Sequence, residues 1–252
     1  MHFVKHLSSL LIPAINLGIA DLTMSLYHCM IISVNYIYNG YATYVATTWK
    51  ESVMCRLIGV TMMFSMIASN LFTGLIAIDR YVVTVIHPFK RYGLSRYRAL
   101  IGVVICYLCA LVLSIMTGLY SNTSIKNTMC IFVGSSVSFG ISVLHIIINI
   151  SIFSCMIIAC TGIIFKIMKS EKAKIKFEYI IIRLGLILLT HLISSLTLTL
   201  IAILFLLHVD VPYSVEAMVA LALIPFNACF NPLINTITSR RFLSSYKLIS
   251  LK

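Results

Sequence analysis

Six long apolar stretches with only short polar connections constrain this chain more than any other feature. They run over about 7–33, 53–81, 98–120, 137–165, 180–207 and 213–238. About 20 helical residues cross the hydrocarbon core of a bilayer, so each stretch is long enough to span it. The runs do not alternate polar and apolar residues, as barrel strands would. In lipid every backbone amide must be bonded internally, which leaves helices as the remaining solution. The expected fold is therefore all-α: a polytopic membrane helix bundle over residues 1–239, with a short tail at 240–252.

Composition agrees. Hydrophobic residues make up 60% of the 252-residue chain and charged residues only 10%. Mean hydropathy is +1.03. A soluble enzyme, a disordered chain and a disulfide mini-scaffold are excluded, since soluble domains carry roughly 25% charged residues. The net charge of +12 does not point to nucleic acid, because the basic residues do not cluster with stacking aromatics. No cleavable secretory leader is evident at the N-terminus.

The charges fix an expected orientation. Sixteen of the nineteen Lys and Arg fall on one side of the spans, among them Lys5, Lys90, Arg91, the run from Lys166 to Lys176, and Arg240. Lys50, Arg56 and Lys126 fall on the other. Such asymmetry marks the cytoplasmic side, so both termini are expected there. The tail mixes Arg240, Arg241, Lys247 and Lys252 with Phe242, Leu243, Tyr246, Leu248, Ile249 and Leu251. It reads as an amphipathic segment on the inner leaflet, or else as a frayed basic end. Asn122-Thr123-Ser124 is a glycosylation sequon on the expected outer side. Asn149-Ile150-Ser151 also fits the pattern but lies within a span.

Ionisable residues within a bilayer are costly and face the bundle interior. Asp21 sits near the middle of the first span. It needs a cation, a proton or hydrogen-bond donors, and Ser69, Asn70, Asn227 and Asn231 are the candidate partners at its depth. It is either a protonated carboxyl in a packing network or an ion-linked switch. Asp79-Arg80-Tyr81 closes the second span, and Cys55 lies 25 residues before Arg80, about 37 Å of helix. Cys55 and Cys130 then share the outer side, where a disulfide can form; two free thiols are the alternative. Pro225 and Pro232 loosen the last span beside Asn227 and Asn231. His145 and His191 read as packing residues. No His-Glu-x-x-His pair, Gly-x-Ser-x-Gly turn or second mid-span acid is present, so no catalytic residue or metal-ligand set emerges.

Together these residues resemble the rhodopsin-like (class A) G-protein-coupled receptors. Asn16 to Asp21, Cys55 with Cys130, Asp79-Arg80-Tyr81 and Asn231-Pro232 follow that family's order and spacing. The chain further resembles the leucine-rich-repeat-containing peptide-hormone receptors of the relaxin type. That likeness rests on Trp49 to Gly59, on His208 to Pro212, on Pro225 to Pro232 and on Thr238 to Phe242. It extends over family helices two to seven, so the resemblance implies a bundle with six of the family's seven helices, the first helix and the ectodomain being expected to be missing.

The resemblance implies that Asp79, Arg80, Tyr81, Asn231 and Pro232 belong to the switch that couples to a heterotrimeric G protein. It implies a sodium-linked pocket of Asp21, Ser69, Asn227 and Asn231, with sodium as the sole candidate cofactor. The partners implied are an extracellular peptide hormone, a G protein and membrane lipid, at the plasma membrane. The sequence departs from the family pattern at three places. Asn235 replaces a tyrosine, Ser194-Ser195-Leu196-Thr197 replaces Cys-Trp-x-Pro, and Leu108 replaces a tryptophan. The alternative readings are a signalling-incompetent scaffold or decoy and a small six-helix transporter. The transporter predicts inverted repeats and several mid-membrane charges, which the sequence lacks.

Overall fold

A computed structural model describes residues 2–37, 49, 52–86, 95–120, 130, 132, 139–169, 171–207, 209, 212, 215 and 218–237. Within them lie six α-helices of fourteen residues or more: α1 (His2–Ile37), α2 (Val53–Tyr81), α3 (Arg96–Tyr120), α4 (Phe139–Met168), α5 (Glu171–Leu206) and α6 (Ile224–Ile237). No strand occurs among the described residues. α1 to α5 each contain a segment long and apolar enough to cross a membrane. The protein is a multi-pass helical bundle.

Helix starts follow from local chemistry. Ser52 caps α2, its hydroxyl accepting from the Cys55 amide at 3.1 Å. Ser95 Oγ likewise accepts from the Arg98 amide at the start of α3. On α1 the buried residues Leu17, Ala20, Met24, Tyr27 and Ile31 recur every three or four positions and form one face. The intervening Leu22, Leu26 and Ile32 are exposed, as befits a surface against lipid tails. Hydroxyls on exposed faces, such as those of Ser33, Ser151 and Thr161, bond carbonyls on the preceding turn, so each polar group is satisfied within its own helix.

α2 is the hub. It packs on α1, α3 and α4, while α5 packs chiefly on α4 and α6, and α6 closes back on α1. Phe72, Met62 and Ala68 of α2 are fully buried in the main core. Cys55 is disulfide-bonded to Cys130 with Cα atoms 5.2 Å apart, which ties the start of α2 to the Cys130 segment. Gly59 makes the seat: a Cβ there would strike the Cys130 carbonyl and lie 2.6 Å from the Phe132 ring.

Two expectations about element limits need correction. The basic run from Lys166 to Lys176 is not a long loop. α4 continues to Met168 and α5 starts at Glu171, because Glu, Lys and Ala favour helix whether or not lipid surrounds them. The last span is not a uniform helix over 213–238. A π-helical turn at Val219–Leu223 precedes α6, and the apolar part is the shorter Leu221–Asn231. Pro225 has no amide hydrogen for the ladder, and the wider turn before it accommodates the missing bond. Asn122, Lys90, Arg91, Asp210, Glu216 and the tail 240–252 lie outside the described residues.

Candidate functional site

Four helices bring their polar side chains together around Asp21, which is buried at 5% exposure. From α6, Asn231 Nδ2 donates to both carboxylate oxygens, at 3.1 Å to Oδ2 and 3.5 Å to Oδ1. From α2, Ser69 Oγ donates to Oδ1 at 3.4 Å. Asn227, one turn from Asn231, donates from Nδ2 to Ser69 Oγ at 3.3 Å. Its own carbonyl oxygen lies 3.4 Å from Thr190 Oγ1 on α5. Hydrogen bonds therefore run from α5 through α6 and α2 to the carboxylate on α1. A turn along α2 from Ser69, Thr73 meets His191 of α5 at 2.7 Å.

Of the four partners expected for Asp21, three belong to the cluster. Asn231 and Ser69 touch the carboxylate, and Asn227 holds Ser69. Asn70 does not join them: its amide donates to Asn149 Oδ1 of α4 at 2.9 Å. Asn70 lies one residue past Ser69, about 100° further around the helix, and so it faces a different neighbour. That same bond places Asn149 inside the bundle rather than on a glycosylated surface.

Carboxylate, hydroxyl and amide oxygens are the hard donors that a small alkali ion takes. Asn231 Oδ1 is buried with no hydrogen-bond partner. Beside the cluster lies a cavity of about 20 Å³ bordered by Asp21, Ser65, Ser69, Asn70, Ser194 and Asn227, room for one water-sized particle. The residues fit a sodium ion. Among the described residues no group of three or more His, Cys, Asp or Glu forms a metal cluster.

At the far end of α2, Arg80 Nη2 lies 3.4 Å from Asp79 Oδ2. Asp79 is almost fully buried while Arg80 is partly exposed. Tyr81 packs its ring onto α4 where Gly162 has no side chain; a Cβ there would come within 2.6 Å of Tyr81 Cε2. Pro232 continues α6 past Asn231. Toward the disulfide end, a second cavity of about 60 Å³ is bordered by Met62, Met66, Phe132, His145, Asn149 and Thr199. His145 is held by Thr117 of α3 at 2.9 Å.

The family model of the 7 transmembrane receptor (rhodopsin family) matches residues 8–234. The chain belongs to this receptor family. Relaxin receptor 1 of Homo sapiens is 21% identical over 245 residues, covering 90% of this chain and 32% of that protein. Relaxin receptor 2 of Canis lupus familiaris is 22% identical over 245 residues, 90% of this chain and 33% of that one. The G-protein coupled receptor GRL101 of Lymnaea stagnalis is 22% identical over 251 residues, 92% of this chain and 22% of its own length. The chain thus spans about a third of the relaxin receptors it matches.

Within the bundle, several partners escaped sequence reasoning. Leu108 is exposed, but its neighbour Tyr107 turns inward, donates to Asn16 Oδ1 at 2.9 Å and stacks on Phe64. Tyr107 thereby ties α3 to α1 through its hydroxyl and to α2 through its ring. Thr190, His191, Thr73 and Asn149 were not assembled in advance either. The signal available was their shared depth, since uncharged polar residues within spans at one level tend to bond across helices.

Proposed function

We propose that the chain is the transmembrane core of a receptor that passes an extracellular signal, a peptide hormone, to a heterotrimeric G protein at the plasma membrane, with its C-terminus cytoplasmic. Family membership supports a receptor rather than an enzyme, and the names of the relaxin receptors support the hormone class. The single observation that carries the reading is the four-helix cluster around Asp21, which shares α2 with the Asp79–Arg80 pair.

Switching then proceeds by rearrangement, with no covalent chemistry. A buried carboxylate satisfied by α2 and α6 couples its own state to the mutual position of those helices. Any ligand that prefers one arrangement shifts the population. A sodium ion, when bound, would be held by Asp21, Ser69 and Asn231, with Asn227 orienting Ser69, and would supply the positive charge that offsets the carboxylate. At the cytoplasmic end, Arg80 exchanges its pairing with Asp79 for contacts with the G protein. The ends of α4 and α5 around Lys166 to Lys176, with Lys90 and Arg91, add positive charge to that face.

The test is recruitment in cells. The luciferase-tagged chain is paired with a tagged Gα subunit of each class, with and without Arg80→Ala. Proximity to one class, lost in the variant, is expected; no class recruited above an unrelated membrane protein contradicts the reading. A second reading, a scaffold or decoy, is favoured by Ser195 and Thr197 in place of tryptophan and proline and by Asn235 in place of tyrosine. It predicts pairing with other receptors and no recruitment.

A further inference from the structure

Three of the chain's twelve methionines fall within five residues of α2. Met62, Met63 and Met66 all border the cavity of about 60 Å³ toward the disulfide. Met66 lies three residues from Met63 and four from Met62, spacings that put all three on one side of a helix. Met62 is fully buried and Met63 nearly so, which keeps both away from bulk water. Methionine is a common packing residue whose flexible chain fills irregular gaps. Here three of them stand around a gap that remains open.

From α4, His145 borders the same cavity, and its tautomer is set by its neighbours. Thr117 of α3 gives its hydroxyl proton to the Leu113 carbonyl at 2.8 Å. The Thr117 oxygen is therefore left to accept, and His145 Nε2 donates to it at 2.9 Å. Nδ1 then keeps its lone pair and has no hydrogen-bond partner among the described residues. A histidine that donates from one ring nitrogen to a fixed acceptor and leaves the other bare is arranged as metal ligands are. The donor set also selects the metal. Thioethers are soft, uncharged ligands that favour Cu(I). Among the described residues no acid and no cysteine borders the cavity, so nothing there offsets a divalent ion, whose desolvation cost grows with the square of its charge. Cys55 and Cys130 are committed to each other. Thioethers, unlike thiolates, are not consumed on the side of a membrane where disulfides form.

We propose that Met62, Met63, Met66 and His145 form a binding site for a monovalent soft metal ion, Cu(I), which bridges α2 and α4. Three sulfurs and Nδ1 make up its ligands, and the ion enters and stays as Cu(I), with no electron transferred. The site is separate from the oxygen donors around Asp21, which suit a hard cation. It needs only the helical bundle and stands whether or not a G protein is recruited.

The test loads Cu(I) anaerobically into the full chain, produced with selenomethionine, in lipid nanodiscs of unlabelled scaffold protein with affinity tags removed. Six cysteines are free and also take Cu(I), so the metal is read at the selenium absorption edge, to which thiols are silent. Wild type should show copper as a neighbour of selenium. It should also hold one more Cu(I) against the chelator bicinchoninate than Met62→Leu/Met66→Leu does, and that variant should lose the copper–selenium signal. Leucine has nearly the volume of methionine, so the variant is expected to fold. His145→Leu should weaken the methionine-dependent uptake roughly tenfold or more. Met168→Leu, at the exposed end of α4, should match wild type. Selenium without a copper neighbour overturns the proposal. So does the same signal and uptake in wild type and Met62→Leu/Met66→Leu, unchanged affinity in His145→Leu, or an equal loss in Met168→Leu. If the double variant fails to fold, Met66→Leu alone decides by the same two readings.

Discussion

Asp21 is held in a setting that no isolated carboxylate tolerates. Charged groups at bilayer depth cost several kcal/mol unless donors or a cation surround them, and here donors arrive from α2 and α6. Asp21→Asn should abolish any dependence of melting temperature on sodium over potassium, with the variant melting equally in both salts. A sodium preference that survives the substitution removes the ion from the account. Most of this cluster was legible in the sequence because a lone membrane acid requires polar partners at its own depth; of Ser69, Asn70, Asn227 and Asn231, all but Asn70 joined it. The Asn70–Asn149 pair was not legible, because an uncharged amide places no comparable demand on its surroundings. Nor was Tyr107, whose inward-facing ring lies beside the exposed Leu108.

Among the elements, α2 carries the most constraints, with the disulfide at one end, Asp79 and Arg80 at the other, and Ser69 and Thr73 between. Gly59 lets the Cys130 segment lie directly on the helix. Gly59→Ala should cost about 1–3 kcal/mol, the usual penalty of overpacking, read as a lower melting temperature of the purified chain. Gly18, with nothing within 4 Å of its added Cβ, supplies the comparison: Gly18→Ala should melt no lower than wild type. The spans themselves were readable because apolar length is fixed by bilayer thickness. The element ends were less so. The start of α5 is a run of good helix formers that an apolar count ignores, and the turn before α6 depends on how the chain absorbs Pro225.

For the molecule as a whole, the charge asymmetry makes a topological claim. An epitope tag inserted between α4 and α5, after Lys169, should resist protease in intact cells and be cut only after permeabilisation. Cleavage in intact cells inverts the bundle and moves Arg80 away from any G protein. Fold class was readable from hydropathy alone, and family from a handful of ordered motifs. Beyond the Asp21 cluster, the bonding across helices was not, because it depends on which faces meet.

We propose that this bundle activates a G protein through Arg80. It is tested most directly with the purified chain in lipid nanodiscs, by measuring guanine-nucleotide exchange on purified heterotrimers of each class. The account predicts exchange above empty nanodiscs for at least one class, falling to the empty level with Arg80→Ala while the Cys55–Cys130 disulfide remains intact. Exchange indistinguishable from empty nanodiscs for every class, or unaffected by Arg80→Ala, would contradict it.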